Sequence, residues 1–555
     1  MPDFAGLLLP SDAYDVVNNQ IIGRRIAGRS MVQGFAKELV PGESLPIICF
    51  SNHEKKKLQS LLQPLLSQGT SLTFHDLNTQ VLETLGAIHV PDPGITRWQL
   101  LRSGRPSNSF SITGLIHTLS SSSVISEIER MWISPLHPWD ALVCTSNAGK
   151  NVVQSVFHNV HEHLQKRFDT KLPFPKCMQL PVIPLGCLDA FEGDSRLPKS
   201  RRAAARVKLD IDPLSFVVLF LGRLSFHSKA HPLPLYHALS RLTREYPNRS
   251  ITLLECGHIY SEPIESAFME LQGLFPQLCI KRLGGLTPAT ESQKTSALAA
   301  ADIFVSLADN VQETFGLSVI EAMSASLPTI VSDWNGYKDL VENGVTGFLI
   351  PTEMVVDPSH QYDHIDSNYS LGTMSYDCMV GLRSMTTIVS HQALYRSLKR
   401  FLDCPELSSR MGHLSRLRWQ HLFSWHAVHK QYLELWRELG FRRRHHSDPS
   451  IDFPIPTPVF PSFKNYPTSP FKVFSVIRSD LEDSLPLSIL RLNMHSSFVS
   501  LLMADCVDHI ILRFEQNSRL DIHDLMSLGV PETHIQSTFS VLVKLGLAHV
   551  DKRLP

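Results

Sequence analysis

The chain has 555 residues, with 52 Lys+Arg against 53 Asp+Glu, 26 His and a net charge of −1. At about 100–200 residues per domain, that length calls for two to four domains. With 43% hydrophobic and 19% charged residues, a largely disordered chain is excluded, and the balanced charge excludes the basic field of a non-specific nucleic-acid binder. Nine cysteines are scattered without a CxxC pair, which argues against a zinc ribbon, a thioredoxin-type redox pair or a secreted disulfide framework. The N-terminus lacks a basic region ahead of its short apolar run, and no stretch reaches about 20 uninterrupted apolar residues. The expectation is a cytoplasmic protein without a signal peptide or membrane span.

Short apolar runs at 47–50, 85–90, 111–117, 141–145 and 181–185 read as strands, with a helical stretch at 54–66. A second series places strands at 216–221, 251–255, 279–283, 303–307 and 328–332, with crossover helices near 232–246, 262–274, 291–300 and 316–326. Strands alternating with helices make open parallel sheets, so the fold class is α/β with two Rossmann-like halves facing across a cleft. Ligands of such sheets sit beyond the carboxyl ends of the strands. Residues 388–441 read as helical throughout, with Trp425, Tyr432 and Trp436 on one packing stripe.

Residues 447–470 hold seven prolines and read as a stiff linker. Beyond it lies a small, mainly helical domain: helix 521–528, Gly-Val-Pro, helix 532–545, then Gly546 ahead of a short strand. This pattern resembles a winged helix. Its second helix is expected to expose Glu532, His534, Gln536 and Ser537 with only Lys544 basic, which favours protein contact over phosphate binding.

The chemistry concentrates in 299–351. A strand at 303–307 delivers a polar loop in which Glu313 stands before Phe315-Gly316, and a helix then carries Glu321. Free N–H groups of Phe315, Gly316, Leu317 and Ser318 would face the cleft as a ready phosphate site. Two glutamates eight residues apart are weak evidence alone. On a strand–loop–helix corner followed by Asp-Trp-Asn-Gly and Gly-Val-Thr-Gly-Phe-Leu, they are strong. In FVVLFLGRLSFHSKAHP (216–232), a buried strand ends in Gly222-Arg223, with Lys229 six residues on from the arginine. Both cations follow the carboxyl end of their strand, so they would meet the same cleft.

These motifs resemble the donor-binding half of a family 4 retaining glycosyltransferase of the GT-B fold: Gly-Arg-Leu with a following Lys, the AADIF strand, E-x7-E as Glu313–Glu321, and the EAM…P…S…G…G-F-L tail. The resemblance implies that Arg223 and Lys229 hold the donor diphosphate, Glu313 contacts the donor sugar and Glu321 holds the ribose. It also implies that the 315–318 amides meet sugar and phosphates, that Gly285-Leu286 lies against the base, and that His117 approaches the sugar from the other half. Catalytic roles thereby fall on His117 and Glu313. The implied domains are 1–205 (N-terminal, acceptor), 206–400 (donor), 401–446 (helices crossing back), 447–471 (linker) and 472–555 (winged-helix-like).

Three departures stand out. Leu185 replaces the usual Asn in the interdomain loop 183–191, Lys229 is followed by Ala230, and IIGRRIAGRS (21–30) replaces a glycine-rich loop; there Gly23, Arg24 and Arg25 could still line the cleft, but the favoured reading of the arginines is a solvated helix face. Asp210-Ile211-Asp212 resembles a metal-binding DxD but precedes its strand, beside Pro213, and reads as a turn. No HExxH, nucleophile elbow or P-loop occurs. The implied enzyme moves a hexose-type sugar from a nucleotide-diphosphate sugar to a glycan, lipid or small-molecule acceptor, with no metal or other cofactor. Arg442–Arg444 offers a peripheral contact to anionic lipid, and 472–555 a contact to a protein partner. The rival is an inactive GT-B scaffold that senses sugar nucleotides and acts through its C-terminal domain.

Overall fold

The computed structural model describes residues 4–14, 23–175, 178–196, 198–355, 364–446, 466, 472–478, 509–510, 512–514, 516 and 519–551. Contacts divide the chain into two units, Met1–Pro456 and Thr457–Pro555.

The first unit carries two six-stranded parallel sheets. One contains β1 (Gly6–Leu8), β2 (Ser44–Ile48), β3 (Ser71–His75), β4 (Ala87–His89), β5 (Ser111–Leu115) and β6 (Ala141–Val143), in the order β3-β2-β1-β4-β5-β6. The other contains β7 (Phe216–Arg223), β8 (Ile251–His258), β9 (Cys279–Gly285), β10 (Ile303–Ser306), β11 (Thr329–Ser332) and β12 (Gly347–Ile350), in the order β12-β11-β10-β7-β8-β9. Both orders are the same doubly wound topology, reversing between the first and fourth strands of each half. This is the two-Rossmann architecture of the GT-B fold.

The helices used below are α1 (Gly23–Glu38), α2 (Ser122–Ile133), α3 (Asn147–Phe168), α4 (Glu291–Ala300), α5 (Leu317–Ser324), α6 (Pro405–Leu422) and α7 (Trp425–Arg444). The expected strand at 181–185 does not form. Gln179 and Val182 make single bridges to Ala141 and Cys144, and Pro181 and Pro184 have no N–H with which to extend them. Strands β1, β3 and β12 were not anticipated. The first is only three residues long, and the second has no fully buried residue, so neither stands out from its neighbours in hydrophobic pattern. The expected helical run from 388 opens instead on a strand, β14 (Thr387–Val389), paired antiparallel with β13 (Thr352–Met354).

The aromatic stripe of α7 is a packing face. Phe35 of α1 is fully buried among Trp425, His429, Tyr432 and Trp436, with ring centroids 4.9–6.0 Å away in edge-on geometry. The last helix thus returns to the first sheet's layer and ties the two halves together. The loop 183–191 is stapled to α6 and its end: Cys187 N donates to Phe423 O at 3.1 Å, Trp419 Nε1 to Cys187 Sγ at 3.1 Å, and Arg416 pairs with Asp189. Within the basic run, Arg442 pairs with Glu438 at 2.5 Å and Arg443 turns inward to the carbonyls of Asn108 and Ser109. That leaves less basic surface for a lipid headgroup than the sequence suggests. Asp210-Ile211-Asp212 is a turn, with Asp210 at φ +51° and the Asp212 carboxylate accepting from Leu214 N at 2.9 Å.

In the second unit, β15 (Ser475–Arg478) pairs antiparallel with β16 (Arg519–Asp521) and β17 (Ala548–Val550). Helices Ile522–Met526 and Glu532–Lys544 pack their apolar faces on this sheet through Phe539, Leu542, Leu520 and Val476. Gln536 is half-buried rather than exposed, because its amide exchanges two hydrogen bonds with the Val473 backbone. The expected linker 447–470 lies outside the described residues apart from Tyr466.

Phe35→Ala should lower the stability of the first unit by about 3–5 kcal/mol, because the surrounding rings cannot collapse onto the cavity left behind. Calorimetric unfolding of the variant against the parent checks this.

Candidate functional site

The reversal between β7 and β10 puts the loops leaving those strands side by side, and the cavity of ≈ 300 Å³ opens there. From the second sheet's half it is lined by Gly222, Arg223, Lys229 and 312–318. The facing half contributes Gly23, Arg24, Ile26, Ala27, His117, Thr118 and Leu185. The segment expected as a solvated helix face is helical, but its first turn meets the cleft, where Gly23 and Arg24 line the cavity.

Lys229 Nζ lies 2.5 Å from Glu313 Oε2, both nearly buried. Burial alone would raise the Glu313 carboxyl and lower the Lys229 ammonium. Their mutual attraction and hydrogen bond outweigh this, holding the carboxyl below its usual range and the ammonium above it. Asn310 sets the pair's geometry. Its Nδ2 donates to Lys229 O at 2.9 Å, and its Oδ1 accepts from Gln312 N and Glu313 N at 3.0 and 3.1 Å. Asn310 is fully buried. Neither its role nor its neighbour's could be singled out from a polar loop sequence.

Arg223 leans on Tyr260, with its guanidinium 5.8 Å from the ring centroid and donating to the hydroxyl at 3.2 Å. Gly222 has φ +148°, and a Cβ there would meet the Lys229 side chain at 3.2 Å. That close approach lets the arginine and lysine leave one strand end together.

A second ion pair was not foreseen. Lys294 of α4 reaches Glu321 of α5 at 2.7 Å, and the attraction of Glu321 and Glu291 holds the Lys294 ammonium above its usual range despite burial. The only sequence signal for Lys294 is its place in the helix after β9, on a segment otherwise rich in small residues. Between the two pairs, α5 starts at Gly316, whose φ of +119° and contact with the Tyr337 ring admit no side chain. Phe315, Gly316, Leu317 and Ser318 all line the cavity, and the buried Ser318 Oγ has no hydrogen-bond partner among the described residues.

Gly285 and Leu286 are not brought into this lining. Gly285 closes β9 with its carbonyl held by Ile259 N, and Leu286 points to solvent at 41% exposure. The loop turns back after them, and Pro288, Ala289, Gly257 and His258 line the cavity in their place.

His117, two residues past β5, donates from Nε2 to Pro91 O at 2.8 Å. Burial pushes its imidazole down to about 4, so it is neutral at pH 7. In the unfolded chain it takes up a proton near the ordinary value of 6.5. Stability from this group is therefore complete above pH 6.5 and is lost as pH falls from there toward 4. His117→Asn should flatten that part of the stability–pH curve, by about 3 kcal/mol across the window. Denaturant melts of both proteins between pH 4 and 7.5 measure the difference in slope.

Residues 215–364 match the family described as "Glycosyl transferases group 1". Over 152 residues the chain is 32% identical to the D-inositol 3-phosphate glycosyltransferase of Nocardia farcinica, covering 27% of this chain and 32% of that one. Over 136 residues it is 28% identical to the phosphatidyl-myo-inositol mannosyltransferase of Mycobacterium tuberculosis, covering 24% of this chain and 33% of that one. The chain thus spans about one third of the length of the curated relatives it matches. Among solved structures, HepE of Anabaena in complex with UDP is similar at TM-score 0.48 and 14% identity, covering 78% of this chain and 100% of that one. Both lysine–glutamate pairs lie within the residues 215–364 that match this family.

Proposed function

We propose that the chain is a retaining glycosyltransferase that moves a hexose-type sugar from a nucleotide-diphosphate sugar to an acceptor hydroxyl. The observation that carries the reading is the cavity at the β7–β10 reversal, where two lysine–glutamate pairs flank the start of α5.

The barrier to glycosyl transfer is charge separation, positive at the anomeric carbon and negative on the departing diphosphate. Lys229, Arg223, the partial positive charge at the start of α5 and the unpartnered Ser318 hydroxyl all converge where that negative charge would develop. Each lysine is held by a glutamate until the donor arrives. The phosphates then take over Lys229, and Glu313 turns its carboxylate to the sugar hydroxyls. Glu321, held in place by Lys294, is set one helical turn away for the ribose. Neutral His117 meets the sugar from the facing half, and closure of the halves excludes the water that would hydrolyse the donor. The departing phosphate, on the same face as the incoming hydroxyl, accepts its proton, so the anomeric configuration is kept.

In this reading 1–205 supplies the acceptor side, 206–400 the donor side and 401–446 the helices that join them, while 472–555 serves protein contact. The acceptor is a glycan, a lipid or a small molecule.

A thermal-shift screen of UDP, GDP and ADP should single out one nucleotide, since a ligand of the folded state stabilises by mass action. With the matching nucleotide sugar, Lys229→Ala and Glu313→Ala should each lower kcat/KM by about 100-fold or more. Glu321→Ala and Lys294→Ala should mainly raise the donor KM, by about tenfold. Unchanged turnover in Lys229→Ala or Glu313→Ala would sink the assignment. Nucleotide binding without turnover in the parent would instead mark the chain as a sensing scaffold.

A further inference from the structure

One residue of the donor turn crosses the cleft with two of its polar groups. Thr314 Oγ1 donates to His117 O at 2.7 Å, and Thr314 O accepts from Ser146 Oγ at 2.8 Å. Ser146 is itself fixed as the N-cap of α3, accepting from Gly149 N at 3.1 Å. On the other side, Thr314 is joined directly to Glu313, whose carboxylate pairs with Lys229, and to Phe315 at the approach to α5. A single side-chain hydroxyl therefore spans from the backbone of His117 to the residue next to Glu313.

Other hydrogen bonds among the described residues cross between the halves without touching the donor turn, three sets of them near the same edge of the cleft. Ser120 Oγ meets Tyr376 OH at 2.8 Å, Ser122 N donates to Tyr369 OH at 3.2 Å, and Asn147 reaches the Asp339 carboxylate at 2.6 and 3.2 Å. These bonds hold the halves together. The Thr314 bond differs because it ends on the backbone of a cleft-lining histidine.

We infer that Thr314 is a positioning residue, whose hydroxyl sets the register of His117 in one half against Glu313 in the other. This rests on the glycosyltransferase reading above. A group placed a fraction of an ångström off costs rate without costing ground-state affinity. Loss of the hydroxyl should therefore appear in kcat and not in donor binding.

Thr314→Val keeps the shape and removes the O–H, whereas Thr314→Ser keeps the O–H. The expected result is a fall of about tenfold in kcat for Thr314→Val, with donor KM within about twofold of the parent and an unchanged thermal shift from the nucleotide. Thr314→Ser restores turnover. The double variant Tyr369→Phe/Tyr376→Phe, which removes cleft-crossing bonds that do not involve the donor turn, should stay within about threefold of the parent. An equal loss in the tyrosine double variant, or a Thr314→Val enzyme indistinguishable from the parent, overturns the inference. If the parent turns over no nucleotide sugar, the glycosyltransferase reading has failed separately, and hydrogen exchange then decides on the Thr314 bond. Faster exchange at both 116–121 and 313–319 in Thr314→Val, restored in Thr314→Ser, supports the register; unchanged exchange overturns it.

Discussion

The rest of the site depends on the buried contact between Lys229 and Glu313. The two residues are 84 positions apart, yet they meet because β7 and β10 are neighbours at the point where the sheet order reverses. A buried ammonium or carboxylate alone would be costly enough to lose its charge, so each group needs the other until a ligand replaces it. The pair therefore keeps both charges in place within the cavity wall. A nucleotide-diphosphate sugar would bring its phosphate charge to the lysine and its sugar hydroxyls to the glutamate, so the pair could exchange partners without stranding either group.

Lys294 and Glu321 repeat this logic one helix away. Both pairs involve α5 or the turn before it, and each draws its lysine from a segment following a different strand: β7 for Lys229, β9 for Lys294. The eight-residue spacing of the glutamates sets the distance between the pairs along the start of the helix. Gly316 and the unpartnered Ser318 hydroxyl lie between them. The arrangement suits an elongated ligand with an anionic centre and hydroxyl-bearing ends.

The legible part of the fold was the part with strong period and punctuation. FVVLFLGR, ITLLE and ADIFVSL are apolar runs too short for helices and bounded by turn residues, and each lies in a strand of the second sheet. The acidic half of the site was visible because Glu313 and Glu321 sit at a strand–loop–helix corner. Lys294 was hidden because an exposed-looking lysine in ESQKTSALAA carries no signal of the helix's orientation across the sheet. Asn310 was hidden because its function lies in three hydrogen bonds made by tertiary contact. Gly285-Leu286 was placed by position after a strand. The chain runs three residues further before it turns into the cavity, and nothing in the local sequence marks that offset.

The two halves share one strand order but not one electrostatic character, and the difference follows from what each must do. At the β7–β10 reversal the lining is charged and pre-paired. In the facing half, the loops after β4 and β5 present a proline carbonyl and a neutral histidine, with Leu185 and Ala27 beside them and Arg24 the cation of that lining. A second charged face would compete for the lysines and draw water into the closed cleft. A mostly uncharged face raises the strength of every interaction on the opposite wall by lowering the local dielectric. The depressed basicity of His117 is part of the same design, since a protonated imidazole would repel Arg24 and add positive charge opposite Lys229. On the proposed reading, recognition of charge falls to one half and exclusion of water to the other, while α7 packs its aromatic face against Phe35 of that uncharged half.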